Sequence, residues 1–295
     1  MKDGNMTKDI LPIRGYLLHI SHYDPVWNAN KDKEEPFNLD VGLQVIEAMA
    51  EAKLNLLVID PKDGVRYKKH PELARHYSQD IGILGKLCER AAQYGIEPVV
   101  KLNFAQSALH QHNHWFRPHN ALFDSPEYWK LAFEVIDELI EVIKPPRFFH
   151  VGMDEDHDRS YGLYVEAIKT LHANLTERHL RTLIWNDSAC WWRQAAIHKD
   201  KSLAAERELP RDVTHILWDY EDWDGEVSLR RIRKAGFDLW GAPGGKPELV
   251  AKMRDRLLTV GGTGILLTQW IPCIPSRKAE LIRMIQTCSP ICSTN

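Results

Sequence analysis

The chain has 295 residues, of which 44% are hydrophobic and 27% are charged, and its formal net charge is −3. This length and composition suit one large globular core, and the lack of a basic excess argues against nucleic acid or an anionic membrane as a partner. No apolar run approaches the roughly 20 residues that a membrane-spanning helix requires.

Short apolar segments alternate with helical patterns along most of the chain. We predict strands at Tyr16–Ile20, Leu54–Asp60, Glu97–Asn103, Phe148–Asp154, Thr182–Asn186, His215–Asp219, Phe237–Gly241 and Gly264–Trp270. Amphipathic helices are predicted at Asp40–Lys53 and Ser125–Ile143. Asn38, before the first of these helices, and Asp80, between the two, resemble N-cap residues. The polar stretch 198–212 is predicted to be a loop before the sixth strand.

This alternation of strands and helices determines the predicted fold class. Strand–helix repeats form a parallel sheet with right-handed crossovers, and eight repeats favour closure into a (β/α)8 TIM barrel of the α/β class. We therefore predict a single catalytic domain over residues 1–295, with the barrel core at about 14–288.

The fourth predicted strand ends in two adjacent carboxylates, Asp154 and Glu155. Alternation along a strand places His150, Gly152 and Asp154 on one face. Two carboxylates held together cannot both ionise cheaply, so we expect the pKa of one of them to be raised. A protonated carboxyl beside an ionised one is suited to glycosidic bond cleavage. The charge run taken alone, which continues to Asp158, favours a solvated acidic loop.

Aromatic and polar side chains follow the other predicted strands. They include His19, His22, Asp24, Asp60, Asp63, Asn103, Gln106, Trp185, Asn186, Asp187, Trp218, Asp219, Tyr220, Glu221, Trp240, Gln269 and Trp270. Active sites of barrels lie where the strands end. Aromatic walls with carboxylates between them suit a sugar ring, although any one tryptophan could equally plug the barrel.

The segment from His150 to Glu155 resembles the His-x-Gly-x-Asp-Glu motif of glycoside hydrolase family 20, the β-N-acetylhexosaminidases. The similarity continues at Arg14-Gly15, 183–187, 216–220, 235–237, Ala242-Pro243 and Trp270. It therefore spans most of the chain, and the 216–220 segment is particularly similar to the intracellular hexosaminidase D-like branch.

The resemblance implies a retaining exo-glycosidase that removes a terminal β-linked N-acetylhexosamine by substrate-assisted catalysis. Glu155 would be the general acid and base, and Asp154 would orient the 2-acetamido group, whose oxygen attacks the anomeric carbon to form an oxazoline. Substrate contacts are expected from Arg14, His150, Trp185, Asp187, Trp218, Asp219, Tyr220 and Trp270. The expected substrate is a small glycoside or an oligosaccharide, and no metal or other cofactor is expected.

Three positions depart from the pattern of this family. His19 and His22 stand where the family commonly has Asp and Arg, and Ala105-Gln106 stands where it has Gly-His. Gly244-Gly245 replaces a tyrosine that hydrogen-bonds the acetamido oxygen. Tyr220, on the neighbouring strand, is a candidate substitute; without one, the enzyme would be a glycosidase for a non-acetylated sugar.

Two functions of other classes remain open. A metal-dependent barrel hydrolase or isomerase would use the alternating His110, His112 and His114 as ligands, although this loop is rich in Asn and Gln. A non-catalytic sugar-binding barrel would keep the aromatic pocket, but it would have no need to retain both Asp154 and Glu155.

The chain has five cysteines, an odd number, and they are scattered along the sequence. This pattern favours free thiols in a reducing compartment. Residues 1–9 are polar and lack the basic and apolar regions of a secretory signal. We therefore expect a cytoplasmic protein, although a mature secreted form would have the same N-terminus.

Overall fold

The predicted strands assemble into one closed sheet. The computed structural model describes residues 10–21, 31–191 and 196–293. Within these residues a parallel barrel is formed by β1 (Ile13–His19), β2 (Leu56–Asp60), β3 (Glu97–Lys101), β4 (Phe148–His150), β5 (Arg181–Asn186), β6 (Thr214–Trp218), β7 (Asp238–Gly244) and β8 (Gly264–Leu267). Pairing of β1 with β8 closes the barrel, with Ile13 opposite Gly264. The predicted (β/α)8 fold is confirmed.

Each barrel strand is followed by a helix that covers the outside of the sheet. These helices are α1 (Leu39–Glu51), α2 (Gly82–Gln93), α3 (Pro126–Ile143), α4 (Tyr161–Glu177), α5 (Ala196–Glu208), α6 (Gly225–Lys234), α7 (Pro247–Val260) and α8 (Lys278–Ser293). Asn38 caps α1 as predicted, because its side chain accepts a hydrogen bond from the Val41 amide at 3.0 Å. Asp80 lies one residue before the N-cap of α2 and accepts from the Gly82 amide at 2.8 Å.

Alternation along the strands separates two apolar cores. On β1, Tyr16 and Leu18 pack outward against the helices, whereas Leu17 points into the barrel. Trp240 is fully buried inside the barrel, where its ring contacts Phe148 edge-on at 5.3 Å. Trp240 is therefore a packing residue near the start of β7, not a pocket wall at its end.

The prediction of a loop over 198–212 is wrong, because α5 occupies most of it. The buried side of this helix is polar. Lys201 Nζ donates to the Asp156 backbone oxygen at 2.6 Å, and Glu206 accepts from Asn186 at 3.0 Å. A helix held by polar partners lacks the apolar periodicity from which helices are predicted.

Two further sequence-level expectations can be compared with the structure. All five cysteines are free, as their spacing predicted. Within the described ranges, no helix is both long enough and apolar enough to cross a membrane.

Candidate active site

The turn after β4 carries the two adjacent carboxylates at the carboxyl end of the barrel. β4 ends at His150, four residues earlier than predicted, because the backbone then folds tightly. Gly152, Met153 and Glu155 have φ angles of 72°, 78° and 52°. Non-glycine residues rarely adopt such left-handed conformations, which are concentrated at functional sites.

The Asn103 side chain makes three hydrogen bonds, two of them to this turn. Its Oδ1 atom accepts from the backbone amides of Met153 at 3.1 Å and Ala105 at 3.0 Å. Its Nδ2 atom donates to Asp154 Oδ1 at 2.7 Å. Asp154 therefore points in a direction that the neighbouring strand determines.

We expect Gly152→Ala to destabilise the fold by roughly 2 kcal/mol or more. The backbone there is left-handed, and a Cβ atom would lie 2.6 Å from Asn103 Cα. Urea unfolding measures the loss. Gly85→Ala is the matched control, since a Cβ within α2 would meet nothing within 4 Å and alanine favours a helix. Equal stability of the two variants would contradict this account of the turn.

Two histidines from the long loop after β3 converge on Glu155. His112 Nε2 and His110 Nδ1 each lie 3.1 Å from Glu155 Oε2. Burial favours a higher pKa for Glu155, but the hydrogen bond from His112 and the charges of both histidines outweigh it and lower that pKa. Burial favours a lower pKa for His112, but Asp154 and Glu155 raise it. These opposite shifts favour the proton on His112 rather than on Glu155 in this hydrogen-bonded pair.

Asp187, at the end of β5, is the carboxyl group with the raised pKa. Burial and the nearby Asp154 charge raise the pKa of Asp187 well above its ordinary value. Its Oδ2 atom accepts from the Glu155 amide at 2.8 Å, and its Oδ1 atom accepts from Trp218 Nε1 at 2.7 Å. The expectation of a raised pKa is therefore wrong for Glu155, because histidines lie beside that carboxylate, whereas Asp187 is buried beside the charge of Asp154.

Aromatic rings line the mouth of the barrel beside these carboxylates. Trp218 lies 5.2 Å from Tyr220, and Trp185 lies 6.5 Å from Trp270, between ring centroids. Tyr220 and Trp270 are half-buried, whereas the exposed fraction of Trp185 is 1%. Trp185 therefore forms the floor of the mouth, and the other rings form its wall.

Tyr220 occupies the space in front of Gly244. A Cβ atom at Gly244 would lie 3.2 Å from Tyr220 Cδ1, so the glycine makes room for the ring. The Tyr220 hydroxyl oxygen accepts from Thr268 Oγ1 at 3.1 Å and from Trp270 Nε1 at 3.2 Å. Because two donors already point at this oxygen, the hydroxyl hydrogen is available to an acceptor on a ligand.

A buried charged cluster lies next to this mouth. Asp60 Oδ2 lies 2.9 Å from Lys101 Nζ, 3.4 Å from Lys62 Nζ and 3.1 Å from His19 Nδ1. Burial favours a higher pKa for Asp60, but the two lysines outweigh it and keep the pKa well below its ordinary value. The His19 ring lies 4.8 Å from Trp270, so this ionised cluster supports the aromatic wall.

Arg14 lies away from the carboxylates. It is the second residue of β1, at the amino end of the barrel. Its guanidinium donates to the backbone oxygens of Leu11 at 2.8 Å and Lys53 at 3.1 Å. The prediction that Arg14 contacts a substrate is corrected, because barrel sites form at the opposite end.

His150 and Asp219 have structural partners. His150 is fully buried, and its Nδ1 atom accepts from the Gly152 amide at 3.0 Å. Asp219 accepts from the amides of Trp223 and Gly225, each at 3.0 Å. Both residues shape the loops that carry the site, so we assign them no ligand contact.

Sequence reasoning missed the histidine partners of Glu155. The alternation of His110 and His112 was visible, but a long loop gives no indication of where its side chains lie. His114 does not join them, since its Nε2 atom faces Arg117 at 2.7 Å. His22 and Asp24, predicted at the end of the first strand, lie outside the described residues.

A cation would also fit part of this site. Donor atoms of His110, His112 and Glu155 all lie within 4.8 Å of one another. Two imidazoles and a carboxylate are a donor set that zinc uses in hydrolases.

Neither a protein-family model nor a curated protein sequence matches this chain. Solved structures with the same barrel fold do match. A β-N-acetylhexosaminidase of glycoside hydrolase family 20 from Streptomyces coelicolor A3(2) has a TM-score of 0.68 and 14% identity, covering 96% of this chain and 64% of its own. Dispersin B has a TM-score of 0.60 and 13% identity over 96% and 99% of the two chains. A chitobiase from Flavobacterium johnsoniae has a TM-score of 0.65 and 16% identity, but this chain spans only 48% of it.

Proposed function

We propose that this protein is a glycoside hydrolase of family 20 that releases a terminal β-linked N-acetylhexosamine with retention of configuration. The observation that carries the proposal is the Asp154–Glu155 pair, oriented by Asn103, His112 and Asp187 beside an aromatic wall. Two structures that share the barrel are described as a β-N-acetylhexosaminidase and a chitobiase, which supports the same substrate class here.

In the proposed reaction Glu155 protonates the glycosidic oxygen. In this proposal His112, which donates to Glu155, passes a proton to that carboxylate before the reaction, so the pair titrates as a unit. With the proton on Glu155, the carboxyl donates it as the bond to the leaving group breaks. The resulting carboxylate later removes a proton from the water that attacks the intermediate.

The nucleophile in this proposal is the acetamido oxygen of the substrate. Its attack forms a bond to the anomeric carbon as the bond to the leaving group breaks, which gives an oxazolinium ion. Asp154 accepts a hydrogen bond from the acetamido N–H and stabilises the positive charge of the oxazolinium ion. The Tyr220 hydroxyl donates a hydrogen bond to the acetamido oxygen. Water then opens the ring with a second inversion, so the configuration is retained overall.

The proposed sugar pocket uses aromatic side chains at the ends of three strands, β5, β6 and β8. Trp218, Tyr220 and Trp270 present ring faces to the apolar C–H surface of the sugar, above the floor formed by Trp185. Asp187 contributes indirectly by holding Trp218 Nε1 and the Glu155 amide. Free thiols in all five cysteines support a location in a reducing compartment such as the cytoplasm. A role in carbohydrate metabolism follows from the proposed substrate class.

A panel of 4-nitrophenyl β-glycosides tests this proposal. Turnover of the N-acetylglucosaminide or the N-acetylgalactosaminide, with a β-configured first product by NMR, is expected. Absence of turnover on both substrates would contradict the proposal and favour a sugar-binding barrel or another sugar.

The second candidate is a metal-dependent hydrolase, favoured by the convergence of His110, His112 and Glu155. In that case an ion bound by these three side chains would activate water. The same carboxylate oxygen cannot then serve as the proton donor. The two candidates therefore assign incompatible roles to Glu155.

We expect glycosidase activity to survive dialysis against EDTA, since the proposed proton transfers need no metal. Turnover before and after chelation, measured well below the unfolding temperature, checks this result. Loss of turnover that Zn²⁺ restores in wild type, together with zinc bound through His112, would favour the metal-dependent candidate.

A further inference from the structure

A second group of histidines and carboxylates lies outside the proposed active site. His70 Nδ1 is 3.1 Å from Glu72 Oε1, and His119 Nε2 is 2.7 Å from the same oxygen. His70 Nε2 is 3.0 Å from Glu134 Oε2 on α3. The His70 side chain is 6% exposed. The group therefore connects the segment after β2, the loop after β3 and helix α3.

Both ring nitrogens of His70 face carboxylate oxygens. A neutral imidazole has one N–H and one lone pair, so a hydrogen directed at Glu134 leaves the Nδ1 lone pair facing Glu72 Oε1. Two lone pairs at this distance repel each other. A metal ion between the two atoms would remove this repulsion.

We propose that His70, Glu72 and His119 bind a divalent transition metal, with Zn²⁺ as the ion that this donor set suits best. Their three donor atoms lie within 4.8 Å of one another. Bonds of about 2.0–2.1 Å in a tetrahedral site place donors about 3.3 Å apart, so the two contacts to Glu72 Oε1, at 3.1 and 2.7 Å, need only slight widening. Glu134 then accepts the His70 Nε2 hydrogen, an arrangement typical of histidine ligands to metals.

A metal here would tie down the loop after β3. This loop carries His119, and it also carries His110 and His112, which contact Glu155. The ion would thus add to the thermal stability of this loop, whereas turnover measured below the unfolding temperature would not require it. The inference rests on the ligand geometry alone and does not depend on the proposed glycosidase activity.

Metal content and thermal unfolding test the inference on the full chain. The protein is stripped with EDTA, reloaded with one equivalent of Zn²⁺, desalted and measured by inductively coupled plasma mass spectrometry. We expect one zinc per chain and a rise in unfolding temperature of about 5 °C. Co²⁺ in place of Zn²⁺ should give visible absorption bands typical of a tetrahedral site.

Variants locate the ion. Glu72→Gln and His119→Gln alter side chains that are partly exposed, so both should fold, lose the bound zinc and lose the thermal shift. His76→Gln is the matched control, because His76 Nε2 contacts the backbone oxygen of Glu34 at 3.1 Å and His76 is not one of the three proposed ligands.

A further variant separates this site from the proposed active site. His112→Gln should retain one zinc and the thermal shift. Zinc that is lost from His112→Gln but kept by His119→Gln would place the ion at Glu155 and overturn the inference. A wild-type protein that binds no zinc would also overturn the inference.

Discussion

Glu155→Gln should lower kcat by at least about 100-fold on a glycoside with a poor leaving group, the usual scale for loss of a general acid. Glutamine preserves the shape of the side chain but cannot donate the proton that the His112–Glu155 pair holds. On a nitrophenyl glycoside the loss should be smaller, because a good leaving group needs little protonation. Steady-state kinetics on the two substrates measures the difference.

Glu226→Gln is the matched control for this prediction. Glu226 is an exposed residue of α6 that pairs with Arg230 at 2.8 Å, so its replacement should change neither rate. Equal losses in Glu155→Gln on both substrates would count against the acid role. The base step must first be tested by adding azide, a nucleophile that needs no base and should restore turnover of the activated substrate.

The 2-acetamido group of the substrate should determine the rate. A positioned internal nucleophile is worth ~7 kcal/mol or more, which corresponds to roughly 10⁵-fold. We therefore expect kcat/KM on a 4-nitrophenyl N-acetyl-β-hexosaminide to exceed that on the 2-hydroxy glycoside by about this factor. A thiazoline analogue of the oxazoline should inhibit competitively.

Tyr220→Phe tests whether the Tyr220 hydroxyl contacts the acetamido group. The change removes only the hydroxyl that accepts from Thr268 and Trp270. Loss of a hydrogen bond to a charged group costs about 1.5–3 kcal/mol, so the N-acetyl substrate should slow by roughly 10- to 100-fold while the 2-hydroxy substrate changes little. Comparable rates on both sugars in wild type, without thiazoline inhibition, would reassign Asp154 and Glu155 to a glycosidase for another sugar.

Much of the candidate site could be predicted because it follows directly from strands. Asp154 and Glu155 come within five residues of the end of β4, and Trp185 and Trp218 lie on β5 and β6 themselves. In a parallel barrel every strand ends at the same rim. Short apolar runs followed by polar residues are therefore sufficient to place these side chains together.

The roles of individual side chains could not be predicted in this way. Asp187 has the raised pKa because it is buried beside Asp154, and these two residues lie on different strands. Tyr220 fills the space in front of Gly244 from the adjacent strand, as the sequence suggested, but its hydrogen bonds from Thr268 and Trp270 depend on the packing of another strand. Helix α5 was missed because its buried partners are polar.

The amino-acid sequence by itself determined the barrel and its carboxylate pair. Hydrophobic periodicity is local, and each strand–helix repeat encodes its own element independently of the others. Only the tertiary structure decided which groups surround Glu155. His110 and His112 reach it from a loop more than 40 residues earlier in the chain. Protonation depends on distances of a few ångströms between groups remote in sequence, and packing of the whole barrel sets those distances.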